Sequence, residues 1–188
     1  LKAAPMPKYD FTTEQQRNVY LPDEDTFLLM DAVFNFCEIK PSSVLEIGSG
    51  SGVVISFIAL NFKPNIYMAV DINEKAVQMT NQTLMQNGLQ QNCVQLDLFP
   101  DNEKFDLIVF NPPYCVGSAD SLGIIDKALS GGLNGRSQID RFILQLQNHL
   151  SDNGEAFLVA IAANDIIDIL QLVNKCGLNG QTVCEKRL

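Results

Sequence analysis

The chain has 188 residues, of which 46% are apolar and 19% charged, and it carries a net charge of −9 and five cysteines. That length supports one domain with a sizeable core, and no apolar run reaches the length of a membrane span. The acidic balance argues against a DNA or RNA duplex as partner, because such binding draws much of its affinity from Lys and Arg on phosphates. Scattered cysteines without a CxxC pair argue against a disulfide framework or a metal site and for a reducing, cytoplasmic compartment, with the nucleus as a second one.

Residues 1–18 read as an N-terminal arm without a secretory apolar core, and residues 19–188 as a single domain. The stretch "TFLLMDAVFNF" (26–36) reads as a helix that Asp25 or Thr26 could cap. "SVLEIGSG" (43–50) is an apolar run ended by glycines, which predicts a buried strand, and "GVVISFIALNF" (52–62) a helix. "NIYMAVDI" (65–72) is a second strand. Asn73 can cap the helix that follows, and Gly88 suits its end. "CVQLDLF" (93–99) and "FDLIVFN" (105–111) are the third and fourth strands. The stretch 115–135 is one long irregular connection, of the length that lids have. Residues 136–150 form an amphipathic helix with Ile139, Phe142, Ile143 and Leu146 on one face. "GEAFLVAIA" (154–162) is a fifth strand, 165–176 a helix, and 181–188 a candidate last strand. His149, the single histidine, reads as structural. Strands alternating with helices predict an α/β fold, a Rossmann-like, mostly parallel twisted sheet with helices on both faces.

Chemistry concentrates at the ends of the strands. Gly48, Gly50 and Gly52 follow the first strand in a G-x-G-x-G spacing. This is tighter than the dinucleotide fingerprint and suits S-adenosylmethionine, which has no pyrophosphate to cradle. Glu46 precedes them. Asp71 ends the second strand, where a carboxylate can accept from both ribose hydroxyls. Asp97 follows the third, placed to accept from an adenine amino group, with Leu98 supplying apolar contact. The fourth strand runs into Asn111-Pro112-Pro113-Tyr114. Two prolines lack N–H groups and hold the preceding residues extended, so the corner is stiff and offers acceptors rather than donors. Together with the Asn111 side-chain carbonyl it suits an NH₂ group, and Tyr114 offers a flat face for a planar amide or aromatic amine. No general base is required ahead of methyl transfer from a sulfonium.

The motifs "VYLPDEDTFLLMDA" (19–32), "LEIGSGSG" (45–52), "NPPY" (111–114) and "GGLNGR" (131–136) occur in that order. Over residues from about Val19 to Phe142 the chain resembles the eukaryotic and archaeal HemK-type protein glutamine methyltransferases. The resemblance implies a class I S-adenosylmethionine-dependent fold with a seven-stranded sheet. It implies methylation of the glutamine amide in the Gly-Gly-Gln loop of a class I translation release factor. By position it makes Tyr20, Thr26, Glu46, Gly48, Gly50, Gly52, Asp71, Ile72, Asp97, Leu98 and Asn111 cofactor contacts, and Asn111 to Tyr114 the substrate clamp. It also implies a heterodimer with a small zinc-binding activator protein, which would pair with the apolar edge strand 93–98. Against the family pattern, the loop after Tyr114 is short and the closing antiparallel strand after "TVCEKRL" is missing. Methylation of the adenine amino group in nucleic acid, or of protein lysine, are the rival readings of the same clamp.

Overall fold

The computed structural model describes residues 4–116, 131–132 and 134–187. The connection expected to act as a lid lies mostly outside the described residues. The elements in chain order are α1 (Thr13–Asn18), α2 (Glu24–Phe36), β1 (Ser43–Ile47), α3 (Val53–Phe62), β2 (Ile66–Asp71), α4 (Glu74–Gln86), β3 (Cys93–Gln95), β4 (Phe105–Phe110), α5 (Ser137–His149), β5 (Leu150–Leu158) and α6 (Ile166–Lys175). A 3₁₀ turn, Ala162–Asn164, precedes α6.

All five strands run parallel in the order β3-β2-β1-β4-β5. Parallel neighbours need crossovers, which the intervening helices supply. The chain order steps outward from β1 to β3 and then returns to the other side of β1 at β4. That reversal opens a crevice at the carboxyl ends of β1 and β4, where ligands bind in open α/β sheets. The two central strands are almost wholly buried, with Val44, Leu45, Leu107, Ile108 and Val109 inaccessible to solvent. The predicted face of α5 is the buried one: Ile139, Phe142, Ile143 and Leu146 all lie in the core. The Phe142 ring stacks on Phe99 at 5.5 Å and tilts against Phe110 at 5.3 Å, joining the ends of β3 and β4 to α5. His149 stacks on Phe99 at 4.4 Å, a packing position.

Four expectations about the sheet are corrected. The third strand is only Cys93–Gln95, not 93–99, because Leu98 takes a left-handed φ of 68° and turns the chain into the core. The fifth begins at Leu150 directly after α5 and ends at Leu158. Its polar start reads as loop in sequence, yet it pairs with β4 across an irregularity between Phe105 and Leu107. Residues 181–187 form no strand; they lie against the domain, with Lys186 Nζ 3.5 Å from Glu24 and Val183 and Cys184 on the core. The described residues thus form a sheet of five strands rather than seven. The stretch read as an arm carries α1, capped by a Thr12/Gln15 box. It is tied to α4 by Gln15 to Gln82 (2.7 Å) and by Asn87, which bonds both backbone groups of Lys8 at 2.8 Å.

Truncating Phe142 removes the ring that joins three elements. Phe142→Ala is expected to lower stability by about 3–5 kcal/mol, the range for a buried aromatic, in urea unfolding. A loss below ~1 kcal/mol would show that Phe99 and Phe110 close over the gap.

Candidate active site

The glycine turn leaves β1 and enters α3. Gly52 is the α3 N-cap at φ 76°, and a Cβ there would sit 2.7 Å from Thr80 Cα, so only glycine lets the turn press against α4. A Cβ on Gly48 would sit 3.2 Å from the Phe110 ring and 3.9 Å from the Asn111 carbonyl oxygen. The glycine turn and the Asn-Pro-Pro-Tyr corner are therefore neighbours.

Acidic groups surround the turn. Asp71 ends β2, and its two oxygens accept from Gly50 N–H (2.9 Å) and Asn73 N–H (2.8 Å). Each oxygen keeps acceptor capacity for a further donor. Burial pushes its carboxyl up, opposed by these N–H bonds. Glu46 is 4% exposed and accepts from Ile55 N–H at 2.9 Å. Burial holds its carboxyl well above the usual range, the Ile55 N–H opposes this, and the charge of Asp71 adds to it. Asp97 is half-exposed and paired bidentately with Arg141, at 2.8 and 3.3 Å. Leu98, expected to give apolar contact to the adenine ring, is 5% exposed and packs in the core. Ile72 is 69% exposed, and its carbonyl accepts from Gln95 at 3.0 Å.

The corner after β4 is organised by a carboxylate that sequence reading treated as a possible helix cap. The α2 cap is in fact Asp23, whose side chain accepts from Glu24 N–H, with Thr26 Oγ1 accepting from Asp23 N–H. Asp25 is thereby free for another role. It is 7% exposed. Its Oδ1 accepts from Thr26 N–H (2.6 Å) and Tyr20 OH (3.1 Å), and Oδ2 from Asn111 Nδ2 (2.9 Å) and Tyr114 OH (2.6 Å). Burial, then Asp25 itself, raise both phenols above their usual range, so Tyr20 and Tyr114 remain donors at ordinary pH. Tyr114 is 9% exposed, an anchor rather than the open platform expected. Pro112 is buried and Pro113 half-buried.

This network decides which way the Asn111 amide faces. A carboxylate accepts only, so Nδ2 must point to Asp25 and Oδ1 away from it. Asn111 Oδ1 is buried and has no hydrogen-bond partner among the described residues. Buried polar atoms are nearly always paired, and an orphan acceptor costs about 1–3 kcal/mol. Its natural complement is an N–H donor from a bound molecule. A stiff corner of acceptors, a glycine turn at its side and an acceptor carboxylate at the end of β2 fit an adenosyl sulfonium next to a target NH₂.

Two outcomes follow from the buried acids. A carboxyl whose folded-state value is raised stabilises the fold below its unfolded value, and that stability is lost as pH rises through the folded value. Glu46→Gln keeps an acceptor for Ile55 N–H without the charge. In the ligand-free protein it should melt above wild type at neutral pH, and the difference should shrink toward about pH 4, near an ordinary glutamate value. A pH-independent difference would contradict the burial of charge. Asp25→Asn places a donor among five donors and should cost about 1–3 kcal/mol in urea unfolding; wild-type stability would contradict the hub.

Comparison with known proteins agrees with this geometry. A family model described as Methyltransferase small domain matches residues 21–182. Methyltransferase HEMK2 of Homo sapiens is 39% identical over 180 residues, 90% of this chain and 84% of the human one. A Methanocaldococcus jannaschii protein named as an N5-glutamine methyltransferase is 35% identical, over 84% of this chain and 78% of its own. The eRF1 methyltransferase catalytic subunit mtq2 of Schizosaccharomyces pombe is 29% identical, over 86% and 80%. The crystal structure of ribosomal protein L11 methylase from Lactobacillus delbrueckii subsp. bulgaricus shares the fold, with a TM-score of 0.64 at 20% identity over 84% of this chain and 71% of its own. The chain belongs to the methyltransferase small-domain family, in its HemK-type group of S-adenosylmethionine-dependent protein methyltransferases.

Proposed function

We propose that the protein methylates the side-chain amide of a glutamine, in the Gly-Gly-Gln loop of a class I translation release factor. The observation that carries this reading is the buried Asn111 Oδ1, without a partner among the described residues, beside the glycine turn. The relatives named for N5-glutamine and eRF1 methylation support the substrate class.

Bound S-adenosylmethionine supplies an electrophilic methyl on sulfur, whose transfer leaves a neutral thioether and releases one proton from the target nitrogen. Asp71 would hold the ribose hydroxyls, and Gly48, Gly50 and Gly52 would bring backbone close to the cofactor, with Glu46, Tyr20, Thr26, Ile72, Asp97 and Leu98 around it. Asn111 Oδ1 would accept one N–H of the target amide, with the carbonyls of the proline corner at hand for the second. An amide nitrogen is a poor nucleophile because its lone pair is delocalised. Accepting its hydrogens raises electron density on nitrogen and aims it. Orientation of this kind supplies up to roughly 7–11 kcal/mol in the best cases. An ammonium brings three donors and a charge, which a small neutral acceptor corner suits less well.

The reading includes a heterodimer in the cytoplasm, with a small zinc-binding activator on the β3 edge. Exposed Ile72, Met85 and Val94 on and beside that edge support it. Asn81 engages both backbone groups of Cys93, at 2.8 and 3.2 Å, so the open edge starts at Val94. A partner strand would pair from there.

The test offers labelled cofactor with a Gly-Gly-Gln factor, a duplex oligonucleotide and a histone tail, with and without a co-expressed activator. Label on the factor's glutamine is expected; label on the oligonucleotide or the tail alone would overturn the assignment. Asn111→Ala should lower turnover by about 10²–10³-fold, as loss of one preorganised polar group does, with only a modest change in cofactor affinity. Asp71→Ala should instead weaken cofactor binding by about tenfold or more, ~1.4 kcal/mol, in calorimetry. Wild-type turnover for Asn111→Ala would remove the clamp.

A further inference from the structure

The motif 131–136, "GGLNGR", and the buried Asn164 have no part in the site so far. Asn164 closes the 3₁₀ turn after β5 and is 1% exposed. Its Oδ1 accepts from Ile161 N–H at 2.9 Å. Its Nδ2 donates to the Tyr114 carbonyl at 2.8 Å and lies 3.3 Å from the carbonyls of Asn134 and Gly135. The side chain thus reaches from the end of the sheet to the last residue of the Asn-Pro-Pro-Tyr corner.

The motif runs along that same backbone. Gly131 N–H donates to the Cys115 carbonyl at 2.8 Å. A Cβ on Gly131 would fall 2.5 Å from the Pro113 carbonyl oxygen, and one on Gly135 would strike the Tyr114 carbonyl and Asn164 Nδ2. Both positions need glycine because backbone meets backbone there. Arg136 completes the arrangement. Its guanidinium donates to the Asn164 carbonyl (3.3 Å), to Asp168 (2.7 Å) and to Asp140 (2.6 Å).

We propose that Asn164, backed by the backbone of 131–132 and 134–136, is a positioning residue for methyl transfer: it fixes the Tyr114 carbonyl at the end of the Asn111–Tyr114 corner as Asp25 fixes the corner's side chains. The need for it lies in the prolines. Pro112 and Pro113 have no N–H, so the backbone of that stretch can be tied down only through carbonyls. Asp25 grips the side-chain ends of Asn111 and Tyr114, which leaves the main chain between them free to rock. Asn164 on the Tyr114 carbonyl and Gly131 on the Cys115 carbonyl remove that freedom from the far end. This rests on the clamp described under Proposed function, and it adds the second point of support.

The test uses the full chain with its activator. Asn164→Ala should lower kcat on the Gly-Gly-Gln factor by about 10–100-fold, the effect of a misplacement on the order of 1 Å, with cofactor affinity unchanged. In the same variant, amide hydrogen exchange over residues 110–116 should speed up while α3 keeps its protection. Asn164→Asp sets a carboxylate against three carbonyl oxygens and should lose at least as much kcat. Asp168→Asn loosens Arg136 from the surface and covers the case in which Asn164 variants fail to fold; it should lower kcat a few-fold at unchanged cofactor affinity and quicken the same amides. Unchanged exchange over 110–116 in the folded variants overturns the strut. So does a fall in kcat matched by an equal fall in cofactor affinity, which marks general loosening. Wild-type protein inactive on the factor overturns the substrate reading instead, and exchange still decides the strut.

Discussion

The carboxylate of Asp25 joins two parts of the chain that are far apart in sequence, the start of α2 and the corner after β4. Five donors converge on its two oxygens, three from Tyr20 and Thr26 at the start of α2 and two from the corner. Charge-assisted bonds of this kind are roughly twice as strong as neutral ones, and in a dry site they reinforce one another. Their consequence for chemistry is directional. With Nδ2 held by Asp25, Asn111 has no choice but to turn its carbonyl outward, and the buried orphan acceptor is the result. An unpaired buried acceptor is destabilising by itself, and the fold tolerates it where binding repairs it.

The acidic groups around the glycine turn divide into distinct kinds. Asp71 is held by two backbone N–H groups and keeps acceptor capacity to spare. Glu46 is sealed between β1 and α3, where charge is costly. Asp97 sits at the surface, clasped by Arg141 of α5. A pair this exposed contributes little to stability, but it fixes where the carboxylate stands. The proposed cofactor side of the site is therefore set by β1, β2 and the turn after β3, and the proposed substrate side by α2 and β4. The reversal of strand order brings the two together, so the fold supplies adjacency and the side chains supply chemistry.

Much of this was legible in the sequence. Apolar runs that end in glycine or proline marked β1 and β4, and helical periodicity marked the buried face of α5 to the residue. The glycine spacing and the double proline both pointed to the carboxyl ends of the strands, and the structure places the two beside each other there. The role of Asp25 was hidden for a physical reason: "PDEDT" places three acids and a threonine where any could cap a helix, and only packing shows that Asp23 takes the cap. The end of β3 was hidden because a leucine in left-handed conformation has no sequence signature. The start of β5 was hidden because Ser151, Asp152 and Asn153 have poor strand propensity and sit in the irregularity between Leu150, paired with Phe105, and Glu155, paired with Leu107. Asn164 was hidden because an isolated asparagine reads as a turn residue, and the partners of its Nδ2 lie 29 to 50 positions away.

The most direct measurement is a crystal structure with the demethylated cofactor and a Gly-Gly-Gln peptide bound. The predicted result is Asn111 Nδ2 still on Asp25 and Asn111 Oδ1 accepting from the glutamine nitrogen at about 2.9 Å, with that nitrogen facing the cofactor sulfur. An Asn111 amide turned the other way, or a corner directed away from the adenosyl ligand, would contradict it.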